Sequence, residues 1–292
     1  MGRIAAYACL CLALLLAPAQ AAPVASYYVS ATGNDGHDGL SETTALRSLD
    51  HAVNMASNRG EIKHIIVIGR LSSATPLLDH KDTGLREIVI TGKLDAAAHE
   101  RAVLTYTGDD YSGGIGLRGK SKIRFEHIEI SGNPNASGLE VSEGAMITLG
   151  PGAKITRNHN YGDGGGVRVY RGGILVMEDG AEISYNRCST FTYGRAGNSR
   201  PGDGGGISLE DGIAVIYGGR IVHNTVDGVG GGIYSSGYLL WYDGVITQNK
   251  ANQGGGIYLY RGTYNDVAPY VGRTAGMGIQ GNTPNDVETH EE

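Results

Sequence analysis

The chain has 292 residues, 30 acidic against 24 basic, for a formal net charge of −6, and that acid excess excludes nucleic acid as a natural partner. Its 48 glycines follow no three-residue period, which excludes a collagen-like rod and calls instead for many tight bends. With 3 cysteines, two of them within the first eleven residues, a disulfide-stapled scaffold is excluded as well.

Residues 1–21 read as a secretory signal peptide, with a basic start at Arg3, an apolar run over 4–16 and an Ala19-Gln20-Ala21 exit. The run is shorter than the ~20 residues of a membrane span. The mature chain is therefore expected to be exported, to the periplasm, the cell surface or the medium, with no transmembrane segment and as a monomer. Cleavage would leave 23 basic against 30 acidic residues, a net of about −7, and only Cys188 among the cysteines. That thiol has no partner within the mature chain and is expected to be inert and partly buried, with a disulfide dimer as the alternative.

Residues 22–62 form the next segment. A strand at Tyr27, Tyr28 and Val29 runs into a glycine and aspartate loop, and Ala45, Leu46, Leu49, Ala52, Val53 and Ala56 share one helical face. This predicts a helix from 43 or 44 to 57 that caps the open end of the structure following it. Apolar runs at 65–68, 88–91, 102–106, 115–117 and 123–130 predict strands with irregular spacing.

Regularity then takes over. A glycine tripeptide recurs at Gly164–Gly166, Gly204–Gly206, Gly230–Gly232 and Gly254–Gly256, each time opening a short apolar run. Ile-x-x-Asn recurs six times, ending at Asn133, Asn158, Asn186, Asn224, Asn249 and Asn282, at spacings of 25, 28, 38, 25 and 33 residues. Such self-similarity means stacked units that bury their apolar faces only against each other. The unit 230–249 splits at its glycines into three short strands. Three strands per turn, paired in parallel with the next turn, make a parallel β-helix. The predicted fold is therefore all-β, a single-stranded right-handed parallel β-helix over 63–287 with an N-terminal capping helix, an insertion at 187–203 and a frayed tail at 288–292.

Within this register Asn158, Asn186, Asn224 and Asn249 stack as an amide ladder at one corner, and Lys154, Glu182 and Arg220 form a column of alternating charge. Alternation after the triplets turns Val167 and Val169 inward and Arg168 and Tyr170 outward. Arg168, Ser208, Tyr234 and Tyr258 then form one outer column, and Tyr170, Glu210 and Tyr260 the next, with the insertion walling one side. Tyrosines beside an arginine and carboxylates suit a polysaccharide or a cell-surface glycan or protein partner, so Arg168, Tyr170, Glu210, Tyr234, Tyr258 and Tyr260 are the candidate ligand-binding residues. Solvated strand surface is the competing reading.

Asp163 and Asp203 precede triplets in adjacent units and could bring two carboxylates together for glycoside hydrolysis or for a shared Ca²⁺. Asp-Gly is also a common bend dipeptide. His223 repeats in no column and reads as a lone surface histidine. No cysteine and histidine spacing supports zinc, and the glycine triplets open strands instead of the helix that a nucleotide-binding loop requires.

The opening Tyr27-Tyr28-Val29-Ser30-Ala31-Thr32-Gly33-Asn34-Asp35-Gly36, the repeated Gly-Gly-Gly-Ile/Val and Ile-x-x-Asn units, and the closing Gly281-Asn282-Thr283-Pro284-Asn285-Asp286-Val287 resemble bacterial right-handed parallel β-helix proteins of the pectate-lyase-like superfamily. The resemblance covers nearly all of the mature chain and implies the fold. It leaves open polysaccharide lyase, glycoside hydrolase and non-enzymatic surface protein. Lyases of that superfamily use acidic Ca²⁺ ligands with a lysine or arginine as proton abstractor. Here Asp163 and Asp203 would be the acids, Arg168 or Arg171 the base, and Glu210 a further acidic group. No lysine joins them, so a non-catalytic binding protein without cofactor is the first reading, a carbohydrate-active enzyme the second and a purely structural module the third.

Overall fold

The computed structural model describes residues 25–59, 62–73, 87–93, 101–108, 114–193, 198–261 and 278–291. The predicted signal peptide lies outside them. The described residues are all-β apart from one helix, and their strands assemble into three long sheets. The chain visits these sheets in rotation. Lys122–Glu126 belongs to the first sheet, Glu129–Ser131 to the second and Leu139–Val141 to the third, and Met146–Leu149 returns to the first. Each return lays the new strand parallel to, and in register with, the strand of the previous circuit, as where Ile147 pairs with Ile123 and Ile183 with Ile155. One apolar core, with members from all three sheets, runs through the stack.

Alternation does the sorting. In Val167–Tyr170 the valines are buried and Arg168 and Tyr170 half-buried, because successive side chains of a strand take opposite faces. The split predicted for 230–249 appears as Ile233–Ser235, Tyr238–Trp241 and Val245–Thr247. The run at 123–130 is instead two strands, Lys122–Glu126 and Glu129–Ser131, parted by a corner at His127 with φ 50°. A short fourth sheet, His159–Asn160, Arg187–Cys188 and Thr225–Val226, follows the asparagine corner. Two residues per strand are too few to leave a periodic signal in the sequence.

Two predicted ends differ. The helix is Leu49–Arg59, five or six residues shorter at its start than expected. Ala45 and Leu46 are extended: Leu46 N donates to Tyr28 O and Ser30 N to Leu46 O, so pairing with the first strand takes Leu46 out of the helix. Ser48 caps the true start, accepting from His51 N at 3.1 Å. Leu49, Ala52, Val53 and Ala56 enter the core at its N-terminal end. At the other end the expected frayed tail contains a strand, Val287–Glu291, parallel to Ile257–Arg261, because backbone pairing does not require apolar side chains.

The six Ile-x-x-Asn asparagines are all buried. Asn158 Nδ2 donates to Asn186 Oδ1, Asn186 to Asn224, Asn224 to Asn249 and Asn249 to Asn282, each at 3.0 Å. The second amide proton of each reaches back to the isoleucine carbonyl of the previous circuit, as from Asn224 to Ile183 at 3.0 Å. Asp286 ends the column by accepting from Asn282 Nδ2 at 2.9 Å. The residue before each asparagine is left-handed, at Gly132, Arg157, Tyr185, His223, Gln248 and Gly281. In the triplets the first glycine has positive φ, and all three lack room for a side chain: a Cβ on Gly204 would meet Ile207 O at 2.4 Å, and one on Gly206 would meet Gly232 O at 2.5 Å and Asn224 Nδ2 at 3.0 Å.

Two measurements check this account. Asn224→Ala orphans the amide of Asn186 and the carbonyl of Ile183 and is expected to cost about 1–3 kcal/mol in denaturant unfolding. Gly205→Ala, whose Cβ would sit 2.5 Å from Gly231 O, is expected to lower Tm more than Gly172→Ala, which has φ 76° but nothing within 4 Å. The reverse order would mean that backbone conformation, not the closeness of successive circuits, makes these glycines necessary.

Candidate functional site

The site grows out of the bend before the glycine triplets. Asp163 Oδ1 accepts from Asp203 N at 3.0 Å. One circuit later Asp203 Oδ1 accepts from Val229 N at 3.0 Å. Each aspartate thus tethers the same bend of the next circuit, which gives both a turn role. Asp163 is otherwise enclosed: its side chain is 4% exposed, and Oδ2 meets Arg200 Nη1 at 3.0 Å and Arg168 Nη2 at 3.7 Å.

Arg200 was not legible as a site residue. It ends the antiparallel hairpin Phe191–Tyr193 and Asn198–Arg200, inside the predicted insertion, and its guanidinium lies between the two aspartates, 3.6 Å from Asp203 Oδ2 through Nη2. A basic residue three positions before Asp203 was the available signal. Arg171, expected as an alternative base, instead lies over the Tyr170 ring at 5.9 Å.

Arg168 completes the network. Its Nε and Nη2 meet the two carboxylate oxygens of Glu210 at 3.3 and 3.4 Å, and its guanidinium stands 4.9 Å from the Tyr170 ring centre. Burial opposes its charge, but Glu210, Glu140 and Asp163 outweigh this and raise its pKa. Burial is also the largest influence on Asp203, whose carboxyl is pushed up to about 6. The charges of Asp163 and Glu210 act in the same sense, and Val229 N and Arg200 oppose them. The Tyr234 hydroxyl is pushed up to about 12, again first by burial, with the negative field of Asp203, Glu210 and Asp163 adding to it.

Beside this network a groove of about 470 Å³ is lined by Arg200, Asp203, Tyr234, Asn252, Tyr258 and Tyr260 among others. Register puts Arg168, Ser208, Tyr234 and Tyr258 in one column. The rings of Tyr234 and Tyr258 are 6.2 Å apart and 14° from parallel. That distance exceeds the ~4.8 Å strand spacing, so the rings are displaced sideways and do not fully eclipse each other. Tyr258 is not on an open face as expected. It is 7% exposed, because Tyr234 flanks it on one side and Glu288, in register on the final strand, flanks it on the other. Tyr260 stacks on His290 at 5.7 Å. Tyr170 lies outside the groove, on Arg168. Ser208 is fully buried and donates to Glu210 Oε1 at 3.2 Å.

The remaining flagged residues fall elsewhere. Cys188 is buried with Val226 and Ala251, donates to Gly162 O, and has its pKa raised chiefly by burial. His223 is not isolated but stacks on Tyr185 at 4.6 Å. Lys154 meets Glu182 at 3.6 Å, and Arg220 stands next in that column. As Ca²⁺ ligands the two aspartates fit poorly, since Ca²⁺ takes 6–8 oxygens and a guanidinium stands between these carboxylates. Among the described residues no group of three or more His, Cys, Asp or Glu is placed to hold a metal ion. No helix among them is long and apolar enough to cross a membrane. The chain matches no protein-family model, no curated protein and no solved structure with which it was compared.

The raised carboxyl of Asp203 predicts a pH dependence. The folded chain holds its proton between about pH 4 and pH 6 while the unfolded chain releases it, so the contribution to stability is present below about 4 and lost as pH rises through 6. Asp203→Asn removes that loss. Its Tm relative to the native chain is expected to rise between pH 4 and 7, and a constant difference across that range would contradict the assignment.

Proposed function

We propose that the rotating three-sheet path is one right-handed parallel β-helix of the pectate-lyase-like kind, carried by an exported chain, and that the protein is a non-catalytic module whose lateral groove takes an extended glycan. Parallel strands joined by crossovers are right-handed in about 98% of cases, which supports the hand. The observation that carries the binding role is the groove itself, where the offset rings of Tyr234 and Tyr258 and the ring of Tyr260 line a wall beside Arg200, Asp203 and Asn252. Aromatic surface packs on the apolar faces of sugars, and the polar groups reach their hydroxyls.

An enzymatic reading has one observation in its favour, the Asp203 carboxyl held protonated to about pH 6 at the groove, which suits a general acid. Its would-be partner weakens it. Asp163 is sealed beneath Arg200 and Arg168, and hydrolysis requires a second carboxylate open to the sugar or to water.

Retention on immobilised polysaccharides, scored together with new reducing ends and unsaturated products, separates the readings. Binding without products is expected. Tyr234→Ala should weaken retention roughly tenfold while the fold persists. Products abolished by Asp203→Asn would establish the enzyme instead, and retention indifferent to Tyr234 would remove the groove from the function.

A further inference from the structure

The outer face of the first sheet carries an apolar array that the groove does not use. In Ile174–Met177, Ile213–Ile216 and Tyr238–Trp241 alternate residues enter the core, and those left outward are also apolar. Register sets Ile174 beside Ile213 and Ile213 beside Tyr238, and likewise Val176, Val215 and Leu240 in a central row. Two residues further on, Tyr217 and Tyr242 stack at 5.2 Å and are 55% and 43% exposed. Earlier on the same face, Lys122–Glu126 turns Lys122, Arg124 and Glu126 outward, the usual pattern for a solvated sheet. Met146, beside Ile174, extends the array by one residue, and the charged row of Lys122–Glu126 separates it from the outward Ile66 and Val89 further along the sheet.

We propose that this array is the contact face of a homodimer in which two copies pack first sheet on first sheet. A two-fold interface uses the same patch on both partners and must be complementary to itself. An uncharged sheet face meets that condition, packing at about 10 Å from its copy. Glu178, in the row of Tyr217 and Tyr242, is bound by Arg124 at 2.8 Å, which offsets that charge at the array's border. An aliphatic centre rimmed by tyrosines has the anatomy of a protein interface. A glycan would find no polar side chain in the central row for its hydroxyls, and an anionic membrane would be repelled by the net charge of −6. The array's outward Ile174, Val176, Ile213, Val215, Tyr238 and Leu240 with Tyr217 and Tyr242 are far fewer than the ~20–30 residues a side of a standard interface. Association is thus concentration-dependent, in the micromolar range or weaker, and the groove on the third sheet stays open in each copy.

Sedimentation of the native chain from about 1 to 500 µM, spanning the affinities expected of so small an interface, is expected to show mass rising from monomer towards dimer. Val215→Lys, at the array's centre, should weaken that association at least about tenfold with circular dichroism unchanged. If that variant unfolds, Tyr217→Ser with Tyr242→Ser decides in its place. A native chain that remains monomeric throughout overturns the proposal, and so does self-association that a folded variant leaves unaltered. Monomers that cosediment with neutral phosphatidylcholine vesicles through Val215 would overturn it too, by assigning the face to lipid.

Discussion

Every feature of this protein depends on successive circuits of the chain lying in one register, and the buried asparagine column is the interaction that holds it. From Asn158 to Asn249 each side-chain amide bonds forward to the next asparagine and back to an isoleucine carbonyl, so its donors and acceptor are used in a site that excludes water. A slip of one residue along a strand would turn core side chains outward and separate the amides. The ladder and the glycine triplets are also interdependent. The third glycine of each triplet leaves the space into which an asparagine amide projects, at 2.9 Å from a Cβ on Gly166 and 3.1 Å from one on Gly232. Two motifs distant in sequence are thus two halves of one packing arrangement.

The same register stacks like on like at the surface. Tyr234 on Tyr258, Tyr217 on Tyr242, Tyr185 on His223 and Tyr260 on His290 are all nearly parallel ring pairs one circuit apart. A repeated backbone turns any recurring side chain into a column. The character of each lateral face is then set by the few residues that recur there: rings beside ion pairs on the third sheet, aliphatic side chains on the first.

The insertion breaks the repeat and makes the site. It adds a short antiparallel hairpin whose last residue, Arg200, enters a space already holding Asp163 and Asp203. Three carboxylates, Asp163, Asp203 and Glu210, then share two guanidiniums, from Arg168 and Arg200. Burial, with the excess of negative charge adding to it, holds the Asp203 carboxyl and the Tyr234 hydroxyl in their neutral forms well above their ordinary pKa values.

The sequence by itself determined the stack. Ile-x-x-Asn and the glycine triplets repeat at short range, and each copy carries its own strand alternation, bend and ladder position, so the columns through Arg168, Tyr234 and Tyr258 could be read without coordinates. Wherever a residue's fate depends on a partner distant in the chain, the tertiary structure decided. Leu46 has a helical pattern but pairs with the first strand, the polar end of the chain forms a strand against Ile257–Arg261, and Tyr258 is covered by that strand. Arg200 belongs to no repeat, so no periodicity could announce that it would lie between two aspartates. Local patterns report what a segment can form, whereas burial and charge pairing depend on which distant groups reach the same place.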